Sequence, residues 1–189
     1  MNWFNIYAQI YDPFMTIFKF YKHEKVLSYL KPAKADKILD VGGGTGFVAN
    51  KIRPFVKEIV VLDNSQKMLN QAKRYEGLTL CHAKAQEIPF MNNYFDAVIC
   101  IDALHHIKYI DEAIKEIRRV LKVNGKIVIL EFEIKGVKGK LFWLFEKMFV
   151  DNSKFVSSIK LADLMNDNGF DGEIITVSSL EYLYTGHKQ

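Results

Sequence analysis

Cysteine is scarce in this chain of 189 residues, which holds only Cys81 and Cys100. Two isolated cysteines exclude a disulfide framework. Their spacing relative to His82, His105 and His106 matches none of the usual zinc patterns, so no metal is expected. Proline is also sparse, at four residues, and with 11 glycines it leaves a composition that is neither low in complexity nor disordered. No uninterrupted apolar run approaches the ~20 residues that a membrane-spanning helix needs, so stable insertion is not expected. The N-terminus lacks a basic start followed by an apolar run. No signal peptide is therefore visible, and a cytoplasmic location is expected. Lys and Arg number 26 against 22 Asp and Glu, a formal net charge of +4 without a long basic run. Nucleic acid is therefore not an expected partner.

What is present is enough apolar material for a real core, with 49% hydrophobic residues in a length that suits one domain over 1–189. The aromatics are unevenly spread. Eight fall in the first 21 residues, among them Tyr7 and Tyr11, and five more lie between Phe142 and Phe155. Segments 1–30 and 133–157 are therefore set aside as a candidate cap over the rest.

Along the chain, Asp12-Pro13 opens a helix to about Leu30. Lys37 to Val41 reads as a short buried strand running into Gly42-Gly43-Gly44-Thr45-Gly46, and a helix follows from Phe47 to about Arg53. A second strand spans Glu58 to Leu62 and is closed by Asp63. Ser65 caps a helix to about Arg74. Further strands are expected at Leu78–Cys81, Phe95–Ile101 and Lys126–Phe132, the last introduced by an Asn124-Gly125 turn. The apolar spacing of Ala113, Ile114, Ile117, Val120 and Leu121 marks a helix over 111–121. Beyond Phe132, helices are expected at 139–150 and 158–168, and two strands at 172–179 and 181–186 are close enough to pair. Alternating helices and continuous apolar strands are the signature of a doubly wound α/β fold. A mostly parallel, Rossmann-like sheet of seven strands is expected, with a C-terminal antiparallel hairpin.

The strand-to-helix junction at Gly42 is the main chemical clue, because ligands of open α/β sheets bind outside the carboxyl ends of the strands. Gly42, Gly44 and Gly46 make G-x-G-x-G. The dinucleotide fingerprint G-x-G-x-x-G fails at Phe47, which argues against a nicotinamide oxidoreductase. No Lys-Ser/Thr pair follows as a P-loop requires. Asp63 ends the next strand, where a carboxylate can accept from two ribose hydroxyls. Read alone, the loop is equally a tight turn, and Asp63 equally an acid at a helix N-terminus. Together they point to a nucleoside ligand.

These residues resemble the class I S-adenosylmethionine-dependent methyltransferases, in particular the small "methyltransferase type 11" and ubiquinone/menaquinone-biosynthesis-like group. Ile38 to Gly46 is similar to that family's first motif. Val61 to Ser65 with Met68-Leu69 is similar to its second, and Ala85 to Phe90 with Phe95-Asp96 to its third. Ala103 to Ile107, Glu116 to Lys122 with Gly125, and Leu164 to Phe170 follow in the family's order. The resemblance implies S-adenosyl-L-methionine as cofactor and S-adenosyl-L-homocysteine as product. It implies that Gly42, Gly44 and Gly46 face the methionine part, that Asp40 holds the loop or the ammonium, and that Asp63 binds the ribose. Asn64 and Met68 would flank the adenine, Ala85 and Gln86 would lie along its edge, and Ile101 would offer a carbonyl near the amine. Tyr11 would reach over the cofactor. The family often carries an acid where this chain has Lys84, and Lys cannot accept a hydrogen bond.

Methyl transfer asks the protein mainly for alignment and exclusion of water, so a missing catalytic triad does not count against an enzyme. His105 and His106 follow the fourth strand on the ligand side. Either is a candidate base, and both are equally packing residues. The aromatic segments suit a small acceptor of lipophilic or aromatic character, or ordinary core packing. Lys135, Lys138 and Lys140 would allow peripheral membrane contact. The alternative from another class is a non-catalytic S-adenosylmethionine-binding regulatory or scaffolding protein.

Overall fold

The protein's structure, a computed structural model, describes residues 23–133 and 155–189. Seven strands form one sheet in the order β3-β2-β1-β4-β5-β7-β6. They are β1 (Lys37–Val41), β2 (Glu58–Asp63), β3 (Thr79–His82), β4 (Phe95–Ile101), β5 (Leu121–Phe132), β6 (Phe170–Thr176) and β7 (Glu181–Lys188). The first five pair in parallel, while β7 runs antiparallel to both β5 and β6. This is the mixed, mostly parallel α/β sheet expected from the sequence.

The strands are continuous apolar runs because both faces of the sheet are covered. One face packs Leu39, Val60, Val98 and Ile129 with Ile114 and Ile117, and the other packs Ile38, Ile59, Val61 and Ile99 with Val26 and Ile52. The helices are α1 (His23–Leu30), α2 (Phe47–Ile52), α3 (Gln66–Ala72), α4 (Ile110–Val120) and α5 (Ser158–Asp167). Ser65 caps α3 by accepting from the Met68 N–H at 3.4 Å, and Ser157 caps α5 by accepting from Lys160 N–H at 3.3 Å. In α4 the residues Ala113, Ile114, Ile117 and Val120 are fully buried, the stripe that 3.6-residue periodicity requires.

Two boundaries differ from expectation. β5 begins at Leu121 rather than Lys126, because Leu121 pairs with Phe95 before the register jumps to Ala97 opposite Lys126. The Asn124-Gly125 turn lies inside this bulge, with Asn124 at φ 58. β6 opens directly at Phe170 after Gly169, whose φ is 71, and ends at Thr176 rather than spanning 172–179, while β7 starts at Glu181 as expected and runs on to Lys188. The expected helix at 139–150, and the expected helix over 13–30 before His23, lie outside the described residues.

Candidate functional site

β1 and β4 are neighbours, and chain order runs outward from them in opposite directions. A crevice outside the carboxyl ends of the strands is expected at such a reversal. A cavity of about 560 Å³ opens there. Its floor is the glycine loop after β1, folded back on β2 by hydrogen bonds from Gly42 N and Gly43 N to the Leu62 carbonyl at 2.7 and 3.2 Å. Gly42 and Gly44 have φ of 71 and 53, a region that favours glycine. A Cβ on Gly42 would stand 2.5 Å from Ala103 Cβ, so the loop lies flat against the segment after β4. A Cβ on Gly44 would meet nothing nearer than 3.9 Å, because that position faces the open cavity.

Gly46 departs from expectation. It does not line the cavity, and a Cβ there would stand 2.9 Å from Leu78 and 3.1 Å from Ala72. The third glycine thus allows α2 to pack closely instead of facing a ligand.

Two carboxylates sit beneath and beside the loop. Asp63 is 9% exposed; its Oδ2 accepts from Gly44 N–H at 2.9 Å and its Oδ1 from Ser65 N–H at 2.7 Å. Burial raises its pKa, against the opposing pull of these two N–H groups. Each oxygen keeps a lone pair for a hydroxyl donor. Asp40 is 1% exposed, and its Oδ2 has no hydrogen-bond partner among the described residues. Burial first, and the neighbouring Asp63 charge second, push its pKa up to about 7. A buried carboxylate oxygen without a donor on a cavity wall calls for a cationic or N–H-bearing ligand group.

The cavity brings together most of the other expected residues. Asn64, Met68, Ala85, Gln86 and Ile101 all line it, as does Lys84. Tyr11 lies outside the described residues. The two histidines separate. His106 lines the cavity and keeps access to solvent through it. Desolvation, and after it the adjacent His105, lower its pKa, so its ring is neutral at physiological pH. His105 is 2% exposed and does not line the cavity. Its Nδ1 lies 2.8 Å from Glu131 Oε2, and its ring stacks on Phe155 at 4.6 Å. As a candidate base it is therefore misplaced. The same Glu131 accepts from Leu104 N–H at 2.7 Å and so holds the segment that carries His106.

Sequence reasoning did not single out Gly43, Thr45, Lys108, Tyr109 or Glu112, which also line the cavity. The last three were within reach of it, since they follow the carboxyl end of β4. Among the described residues no group of three or more His, Cys, Asp or Glu could hold a metal ion.

Residues 39–129 match the profile of the family described as "Methyltransferase domain". That segment, just under half of the chain, is similar to a methyltransferase domain. Over 135 residues it is 28% identical to the "Uncharacterized methyltransferase YcgJ" of Bacillus subtilis, covering 63% of this chain and 53% of that protein. Over 106 residues it is 35% identical to the "Ubiquinone/menaquinone biosynthesis C-methyltransferase UbiE" of Coxiella burnetii, covering 51% of this chain and 42% of that one. The match thus spans about half the length of these relatives. Among solved structures, one chain of the complex between the Haloferax volcanii Trm112 methyltransferase activator and a methyltransferase superposes with a TM-score of 0.86. It is 16% identical and the match covers 99% of this chain and 98% of that one, a likeness of fold.

The methyltransferase family and fold imply S-adenosyl-L-methionine as the methyl donor. The donor set suits that group. Asp40 offers an unpartnered buried carboxylate oxygen for an ammonium, Asp63 offers free lone pairs for ribose hydroxyls, and Gly44 leaves open space between them. No helix among the described residues is long and apolar enough to cross a membrane.

Proposed function

We propose that this chain transfers a methyl group to a small acceptor of lipophilic or aromatic character, acting over 1–189 as one methyltransferase domain in the cytoplasm. The observation that carries this is the 560 Å³ cavity over the glycine loop, with the unpartnered Asp40 Oδ2 on its wall. The cofactor supplies the methyl on a sulfonium and the chain supplies position. Asp40 receives the methionine ammonium, and Asp63 accepts from the ribose hydroxyls while its bonds to Gly44 and Ser65 keep it in place. Gly42 and Gly44 let the backbone come close to the methionine part. Asn64, Met68, Ala85 and Gln86 enclose the adenine, and the Ile101 carbonyl faces the amine. Lys84 cannot accept from the adenine amino group, which leaves that role to Gln86 or to backbone.

Alignment and water exclusion carry the rate in this reading. His106, on the cavity wall, is the histidine placed to take a proton when the acceptor must lose one. The proposed apolar acceptor rests on composition, namely the aromatics that the sequence concentrates in segments 1–30, with Tyr11, and 133–157. The relative UbiE is named for ubiquinone/menaquinone biosynthesis, which makes quinone-like compounds the first acceptors to try.

Lys84 favours a second reading, a binder that takes the cofactor and transfers nothing. Calorimetric titration with S-adenosylmethionine, S-adenosylhomocysteine and NAD, followed by a screen of quinone-like and lipid-like acceptors for S-adenosylhomocysteine release, tests both. Binding of the adenosyl ligands but not NAD, with release for one acceptor class, is expected. Binding without release for any acceptor would favour the second reading, and no adenosyl binding would sink both.

A further inference from the structure

The wall of the cavity holds three buried carboxylates, Asp40, Asp63 and Asp102, which are 1%, 9% and 5% exposed. In the proposed function Asp40 receives the ammonium and Asp63 the ribose hydroxyls, while Asp102 has no part.

Asp102 follows β4 directly and has a φ of 50. This left-handed conformation is uncommon for residues other than glycine, although Asp and Asn tolerate it best. The Asp102 N–H donates to the Leu130 carbonyl of β5 at 2.9 Å, which holds the turn. Ala103, the next residue, is the one against which Gly42 packs. Asp102 therefore stands beside the glycine loop on the methionine side, whereas Asp63 accepts from Gly44 and Ser65 on the ribose side. Burial first, and then the charges of Glu131, Asp40 and Asp102, raise the pKa of the fully buried Cys100 thiol. Asp40 and Asp102 thus both project their fields onto the carboxyl end of β4.

Positive charge is scarce by contrast. Among the described residues the lysines of the lining, Lys84 and Lys108, are exposed. No described Lys or Arg lies within ion-pair distance of Asp40 or Asp63. Glu131 pairs with His105 behind the wall, so that histidine faces away from the ligand space. A wall of this kind favours a cation, because buried carboxylates lose less charge energy when one enters.

S-adenosylmethionine carries an ammonium, a carboxylate and a sulfonium, and is a net cation. Transfer of the methyl turns the sulfonium into a neutral thioether and leaves no net charge. The ammonium is common to both forms, so only the sulfonium tells them apart. We propose that the Asp102 carboxylate makes the site prefer the sulfonium form of the cofactor over its thioether product. This rests on the reading of the cavity as the cofactor site. In a poorly solvated cavity the attraction between carboxylate and sulfonium is little screened, and it disappears when the methyl leaves. The spent cofactor is then the weaker ligand and departs more readily.

The test titrates the full chain by calorimetry with S-adenosylmethionine, S-adenosylhomocysteine and sinefungin, in which an amine-bearing carbon replaces the methylated sulfur. The wild type is expected to bind both cationic ligands about tenfold more tightly than S-adenosylhomocysteine. Asp102→Asn keeps the shape and tolerates the positive φ, and thermal melts check its fold. It should narrow the gap to about threefold or less, with the loss falling on the cationic ligands. The wild-type gap should persist at high ionic strength. A gap that salt abolishes belongs to the exposed Glu87 and Glu112 and overturns the role of Asp102. So does a gap that survives Asp102→Asn. Equal binding of the three ligands overturns the preference and leaves the cofactor reading standing, whereas no binding of any of them overturns both.

Discussion

At the scale of single residues, Gly44 and Gly46 separate ligand space from packing space. Both have positive φ, so an added Cβ strains either by about 1 kcal/mol. Beyond that shared cost they diverge. An alanine at 44 enters open cavity, whereas one at 46 must displace Leu78 and Ala72. Gly44→Ala is therefore expected to weaken S-adenosylhomocysteine binding with a small loss of melting temperature. Gly46→Ala is expected to lose about 2–3 kcal/mol of stability, strain plus overpacking, with binding kept in whatever remains folded. Thermal melts and titrations on the two variants check this, and equal effects would remove the distinction. Asp63→Ala should weaken binding by about 1–3 kcal/mol. It also strips the acceptor from Gly44 and Ser65 N–H, so part of the loss should appear as a lower melting temperature of the ligand-free protein. A variant that melts and binds as the wild type does would take Asp63 out of the site.

At the scale of elements, α4 does more than cover the sheet. Its Glu116 accepts from Ile88 N–H at 2.9 Å while Arg119 donates to the Ile88 and Phe90 carbonyls, each at 2.7 Å. The Arg119 hydrogen bond holds the Glu116 carboxyl below its usual pKa. This strap fixes the loop after β3 that brings Ala85 and Gln86 to the cavity. Arg119→Ala leaves the Ile88 and Phe90 carbonyls to water and is expected to cost about 1–3 kcal/mol. It should also reduce cofactor affinity, which Arg119→Lys would restore only in part, because an ammonium cannot reproduce the fork. Denaturant unfolding and titration measure the two effects. The sequence showed α4 as an apolar stripe and Glu116-Ile117-Arg118-Arg119 as a familiar stretch, yet it did not show the strap, whose partners lie about 30 positions away. The strands were legible from their apolar runs, and the cap at Ser65 from residue type. The start of β5 was not, because Leu121 joins the sheet through a bulge that only the pairing with Phe95 creates. Likewise the spacing that placed His105 and His106 side by side carried no sign that Glu131, on another strand, draws one of them into the interior.

At the scale of the whole molecule, the mostly parallel sheet was legible from the alternation of helices with apolar strands, while the strand order, whose reversal between β1 and β4 locates the cavity, came from the structure. Less visible was the electrostatic cost of that placement. It puts Asp40 and Asp63 together at the carboxyl end of the sheet, where burial disfavours both charges and the Asp63 charge further disfavours that of Asp40. The Asp40 pKa, pushed up to about 7, lies above the value near 4 of an unfolded chain. Between those two values the folded protein binds more protons than the unfolded one. The stability contributed by protonated Asp40 is therefore fully present below about pH 4 and is lost as pH rises through about 7. Other groups add their own slopes, so the comparison is with Asp40→Asn, which should flatten the decline of ligand-free melting temperature between pH 4 and 7. A cationic ligand group reverses the preference, because it favours the ionised carboxylate. Affinity for S-adenosylhomocysteine, which carries the ammonium, should rise as pH passes through about 7, and Asp40→Asn should remove that rise. If the variant and the wild type show the same pH dependence in both melting and binding, Asp40 is neutral in its surroundings by some other means and does not meet the ammonium.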